Sequence, residues 1–155
     1  MKFLIPLLGK TREAYLEAGI RDYPSRLGRF GTVELPILKE RHGRNDSEKV
    51  VKQIEADLLL ERSGGAGLRV ALDPTGTLPD SEGLAALLTG WDSRGVGTVC
   101  FLIGGHLGLH SSVLSRADMI LSLSRLTFTH EMTRMILLEQ LYRACTIKAG
   151  HNYHK

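Results

Sequence analysis

Val99–Leu109 reads Val-Cys-Phe-Leu-Ile-Gly-Gly-His-Leu-Gly-Leu. An unbroken apolar run, Val99 to Ile103, leads straight into Gly104-Gly105-His106-Leu107-Gly108. Such a run fits a strand covered on both faces, the pattern of a parallel sheet. Glycines at its exit let the backbone turn and lie close to a ligand. Ligands of open α/β sheets sit at the carboxyl ends of strands, where this segment falls. It is therefore expected to form one wall of a binding site. A glycine turn with no ligand is the alternative, because glycine signatures are common.

Two more apolar runs end in similar loops. Leu68–Leu72 runs into the turn sequence Asp73-Pro74-Thr75-Gly76, and Met119–Leu123 runs into Ser124-Arg125-Leu126-Thr127-Phe128-Thr129-His130. If the three strands are neighbours, their exits form one pocket. Lys2–Leu8, ended by Gly9, and Thr32–Leu38 complete the expected strands.

Helices alternate with these strands. Thr11 is expected to cap the first, with Ala14, Tyr15, Ala18 and Leu27 inward and Pro24 ending or kinking it near Tyr23. Asp46 or Ser47 caps a second over Glu48–Arg62, with Val50, Val51, Ile54, Leu58 and Leu59 as its stripe. A third starts at Asp80 or Ser81 and runs to about Arg94, with Leu84, Leu87, Leu88 and Trp91 inward. A short fourth runs from Ser111 or Ser112 to near Ala117. Thr129 caps the last, Glu131–Ile147. Its apolar set, Met132, Met135, Ile136, Leu138, Leu141, Tyr142 and Cys145, is broader than one sheet contact needs. Either it faces a second subunit or it is an internal helix. The alternation predicts an α/β fold with a mainly parallel sheet flanked by helices.

At 155 residues, with 43% hydrophobic, the chain suits a single domain, 1–155, that builds its core without metal or disulfides. Cys100 and Cys145 read as reduced core residues. The Met1–Gly9 segment is too short and too interrupted for a signal peptide, and no run is long enough for a membrane helix. These features predict a cytoplasmic protein with no membrane partner. The net charge of +3 permits an anionic partner. The Lys39–Asp46 loop, Lys-Glu-Arg-His-Gly-Arg-Asn-Asp, reads as a solvated loop or as a contact to a nucleic-acid backbone.

Several chemistries lack their residues. The glycines are spaced G-G-x-x-G, not as a dinucleotide fingerprint, and no P-loop or G-x-S-x-G occurs. His106/His110 and His151/His154 lack a third ligand, so no metal is expected. What remains suits a flat heteroaromatic ring. Leu72, Ile103, Leu123, Leu126 and Phe128 would cover its faces, and backbone groups would read its edge. Five Lys/Arg against two Glu between Arg125 and Lys155 place a basic surplus beside this pocket.

Four stretches taken together resemble one family: Leu-Ile-Gly-Gly-x-x-Gly-Leu at 102–109, Ser-Leu-Ser-x-Leu-Thr-Phe-x-His at 122–130, Glu-Gln-Leu-Tyr-Arg-Ala at 139–144, and the terminal Tyr-His-Lys. They look like the ribosomal RNA large subunit methyltransferase H family of the SPOUT class, over essentially the whole chain. The resemblance implies an S-adenosylmethionine-dependent enzyme that methylates nitrogen-3 of a pseudouridine in a 23S rRNA stem-loop near the decoding centre of the large ribosomal subunit. It also implies an α/β knot with a C-terminal trefoil knot, and a homodimer. Cofactor contacts then fall on Leu72, Ile103, Gly104, Gly105, Gly108, Leu123, Ser124, Arg125, Leu126, Thr127 and Phe128. Arg143, His154, His130 and Tyr153 are the catalytic candidates. The chain departs from the pattern at Thr129, where many relatives carry proline. An RNA-binding module without catalysis and a nicotinamide-dependent oxidoreductase are the rival classes, separable by cofactor affinity.

Overall fold

The computed structural model describes residues 1–154, with the backbone alone for His154. In chain order the elements are β1 (Lys2–Leu4), β2 (Leu7–Leu8), α1 (Ala14–Leu27), β3 (Thr32–Glu34), β4 (Ile37–Leu38), α2 (Glu48–Arg62), β5 (Leu68–Thr77), α3 (Ser81–Ser93), β6 (Thr98–Leu102), α4 (Ser111–Arg116), β7 (Met119–Leu121) and α5 (His130–Lys148). A 3₁₀ turn at Asn152–His154 follows.

Five strands form one parallel sheet in the order β3-β1-β6-β5-β7. β6 is central, and its alternation sorts the core. Val99, Phe101 and Ile103 join Phe3, Ile5 and Val70 in the cluster that also holds buried residues of α1, α3 and α5. Cys100 and Leu102 join Leu4 and Ala71 on the opposite face, with buried residues of α2 and α4. Residues Val99–Leu102 are completely buried, which is why the run carries no polar residue. Both cysteines are buried free thiols, Cys100 pushed up to about 12 and Cys145 to about 11 by burial, so neither is a nucleophile at neutral pH.

Five expectations need correction. The two N-terminal strands are each split, at Ile5-Pro6 and at Leu35-Pro36, because proline has no N–H for the ladder. Pairing resumes as the separate parallel ribbon of β2 and β4. In α1 the buried residues are Leu16, Ile20 and Leu27, whereas Ala14, Tyr15 and Ala18 are exposed. The aliphatic residues at i, i+4 and i+11 share one helical face, which packs on the core, and Ala14, Tyr15 and Ala18 lie off it. Pro24 does not end this helix, which continues to Leu27 with the Gly28 N–H donating to the Pro24 carbonyl.

Thr11 does not cap α1; its hydroxyl instead accepts from Arg134. The other caps follow the sequence, from Ser47, Asp80 and Thr129. Asp73-Pro74-Thr75-Gly76 does not end β5 but continues it through a register shift, so that Thr77 pairs with Leu121. A Cβ on Gly76 would lie 2.5 Å from the Ile120 carbonyl carbon, so only glycine fits this crossing.

α5 packs against both α1 and α3. Leu137, Leu138, Leu141 and Ala144 are fully buried, which explains much of its broad apolar surface. No helix among the described residues is long and apolar enough to cross a membrane.

Candidate active site

β6, β5 and β7 are neighbours and run in one direction, so their carboxyl ends open at one edge. The three exits enclose a cleft lined by Leu72, Asp73 and Pro74, by Ile103–His106, Gly108 and Leu109, and by Ser122–Ser124, Leu126–Phe128, His130 and Thr133. Ten of the eleven expected cofactor contacts are therefore together. Arg125 is the exception. It is exposed and does not line the cleft, because the turn that seats Ser124 and Leu126 leaves the intervening residue outside.

Local hydrogen bonds explain the shape of each wall. Gly108 donates to the Gly105 carbonyl at 3.0 Å and adopts φ +78°, which closes the glycine loop on itself. The Ser122 hydroxyl donates to the Ser124 carbonyl at 2.9 Å, and the Leu126 N–H donates to the Ser124 hydroxyl at 2.9 Å. Asp73 accepts from both the N–H and the hydroxyl of Thr75. The lining is thus backbone and aliphatic side chain, with few free polar heads.

The first turn of α5 forms the fourth wall. The Thr129 hydroxyl caps the helix by accepting from the Met132 N–H at 3.2 Å. Burial and then the neighbouring Arg134 charge hold His130 below the usual histidine value, so its ring is neutral at pH 7 and free to accept a proton. Arg134 is buried and donates to the Leu8 carbonyl at 2.7 Å and to the Thr11 hydroxyl at 3.0 Å. Burial works against the Glu131 charge, yet the N–H groups of Glu13 and Arg12 hold that carboxyl below its usual range.

His130 carries a pH signature. Its folded pKa is lowered, so below the unfolded value of about 6.5 the unfolded chain binds more protons. Stability should rise with pH through that window and level off above it. Melting temperatures from pH 5.5 to 7.5 should therefore climb more steeply for the wild type than for His130→Gln. Parallel curves would show that the ring titrates alike in both states.

Arg143 and Tyr153 lie elsewhere. Arg143 follows His130 by thirteen positions on α5, a rise of roughly 20 Å. Its guanidinium pairs with Glu139 at 2.6 Å and sits 5.0 Å from the Tyr153 ring centre. Tyr153 meets Tyr142 edge-on at 4.7 Å, and its hydroxyl lies 3.5 Å from that of Tyr23. This contact, with burial, pushes Tyr23 up to about 12. Arg26 lies over the rings of Tyr23 and Tyr142. The C-terminal candidates thus form a cationic–aromatic cluster remote from their own chain's cleft. The side chain of His154 and all of Lys155 lie outside the described residues.

Sequence reasoning missed Pro74, Leu109, Ser122 and Thr133 as cleft residues. Thr133 was detectable, one helical turn beyond His130 and so on the same face. Among the described residues no group of three His, Cys, Asp or Glu is placed to hold a metal ion.

Comparison with known proteins fits this geometry. Residues 1–154 match the family model described as "Predicted SPOUT methyltransferase". The chain belongs to the SPOUT methyltransferase family. It is 46% identical to ribosomal RNA large subunit methyltransferase H of Desulfotalea psychrophila, and 40% identical to the protein of that name from Acetivibrio thermocellus, each time over 100% of both chains. The SPOUT fold recurs at low identity in solved structures. One, a probable methyltransferase from Bordetella pertussis Tohama I, superposes with TM-score 0.57 and 17% identity over 93% of this chain and 95% of that one. TrmJ from Z. mobilis ZM4 superposes with TM-score 0.52 and 12% identity over 92% and 69%.

Proposed function

We propose that this chain is a cytoplasmic, S-adenosylmethionine-dependent enzyme that methylates nitrogen-3 of a pseudouridine in the 23S rRNA of the large ribosomal subunit, as a homodimer. The observation that carries the reading is the cleft of main-chain groups and aliphatic side chains where three adjacent parallel strands end, in a SPOUT methyltransferase nearly half identical to a large-subunit rRNA enzyme.

The cleft suits the cofactor by its donor set. Leu72, Ile103, Leu123, Leu126 and Phe128 offer apolar faces for an adenine ring, and the backbone of the glycine loop and of residues 122–128 offers N–H and C=O groups for its edge. When bound, S-adenosylmethionine supplies a methyl group already activated on a sulfonium.

The chain's own task is to hold the attacking nitrogen in line and about 3 Å from that methyl. It must also manage the proton that nitrogen-3 loses. His130, neutral and in the cleft wall, can accept it. A guanidinium such as Arg143 can stabilise the anionic ring. Arg143, far along α5, and Tyr153, in the turn beyond its end, do not line their own chain's cleft. The reading therefore has the C-terminal end of one subunit, with His154, complete the cleft of its mate. The trefoil knot belongs to the same reading and rests on membership of the SPOUT family.

The experiment is mass mapping of 23S rRNA from cells with and without the gene. One methyl on one pseudouridine should vanish on deletion and return when large subunits or ribosomes are incubated with purified protein and S-adenosylmethionine. An unchanged map would remove the proposal.

A further inference from the structure

Beneath the glycine loop lies a group that the proposed chemistry does not use. Glu55 sits on the buried stripe of α2 between Val51 and Leu59 and is 8% exposed. Its carboxylate lies directly against Gly105, whose backbone N–H favours the charge, while its Oε2 is buried with no hydrogen-bond partner. Gly105 lines the cleft, so one residue touches both the cleft and the carboxyl. Its φ is ordinary, and alanine would be conformationally acceptable there. Glycine is needed because of Glu55: a Cβ would lie 2.6 and 2.8 Å from the two carboxylate oxygens. His106, also in the cleft lining, and His42 attract the charge, Glu40 opposes it, and burial raises the carboxyl's pKa.

A half-satisfied buried carboxyl is costly, and an aliphatic residue would suit this stripe better. Local costs of this kind concentrate at functional sites. We propose that Glu55 is a positioning residue for cofactor binding, holding the Gly104–Gly108 loop in its binding shape through the Gly105 N–H. The proposal rests on the reading of the cleft as the S-adenosylmethionine site.

The test separates affinity from stability. S-adenosylhomocysteine is titrated calorimetrically into the full-length wild type, Glu55→Met and Glu55→Gln, with melting temperatures measured alongside. Glu55→Met should melt at or above the wild-type temperature yet bind about tenfold more weakly, the equivalent of one net hydrogen bond. Glu55→Gln keeps an acceptor oxygen and should stay within about threefold of the wild type. Wild-type affinity in Glu55→Met, or equal loss in Glu55→Gln, would overturn the proposal, as would affinity and melting temperature falling together. Should Glu55→Met not fold, Gly105→Ala takes its place, with the same expected loss of affinity; unchanged binding would overturn the idea. A wild type that binds no S-adenosylhomocysteine removes the cofactor reading and this role with it, whereas binding unaffected by the substitutions removes the Glu55 role alone.

Discussion

Arg143→Ala should lower methyl transfer to rRNA by about 10²–10³-fold at saturating RNA and cofactor, the usual effect of removing a group that stabilises developing charge. Affinity for S-adenosylhomocysteine should stay within about twofold, because the groups proposed to hold the cofactor are the aliphatic side chains and main-chain atoms of the strand exits, and Arg143 is proposed to face the RNA base. Stability should change little, since the Arg143–Glu139 pair is an i,i+4 pair near the surface. The geometry also predicts complementation. Gly104→Val, whose side chain would run into the backbone of Gly108 and Leu109, should lose cofactor binding yet keep its C-terminal cluster. Two inactive variants, Arg143→Ala and Gly104→Val, co-refolded in equal amounts, should recover about a quarter of wild-type activity. Half of the dimers would then be mixed, each with one intact composite site. A mixture as inactive as its parents would show that each chain serves its own cleft.

Arg134→Ala should be the most damaging single change to stability, costing about 3–5 kcal/mol. The side chain is 2% exposed, and its loss leaves a void and an unanswered Leu8 carbonyl at the junction of β2, α1 and α5. With a urea dependence of about 1–3 kcal/mol per molar, the unfolding midpoint should fall by roughly 1–5 M. Cofactor affinity should drop as well, because His130 and Thr133 stand in the cleft wall on the turn that Arg134 anchors. A midpoint shift below about 0.5 M would mean that the guanidinium is replaceable by water.

What could be read from the sequence was what short-range pattern encodes. Val99–Ile103 announced a doubly covered strand because no polar residue interrupts it, and β6 is the buried centre of the sheet. The cleft followed once three such runs were each seen to end in a polar or glycine loop. What depends on distant partners was not legible. Thr11 looked like a helix cap until the buried Arg134, 123 residues away, claimed its hydroxyl. Asp73–Gly76 looked like a turn, yet the backbone of β7 lies against Gly76 and holds the segment as strand. Tyr15 looked like an inner residue of α1, but Leu16 and Ile20 won that face. Glu55, an acid within an apolar stripe, gave no sign that Gly105 waits above it. Arg125 was counted with its neighbours because the sequence of the loop 122–129 cannot reveal which side chain its turn turns out.

The account stands on the cleft between β5, β6 and β7 being the S-adenosylmethionine site. The most direct measurement is a crystal structure of the protein with S-adenosylhomocysteine. The account predicts its adenine ring between Leu72, Ile103 and Leu126, held by main-chain atoms of residues 103–108 and 122–128. Density at any other place on the protein, or an empty cleft at saturating ligand, would contradict it.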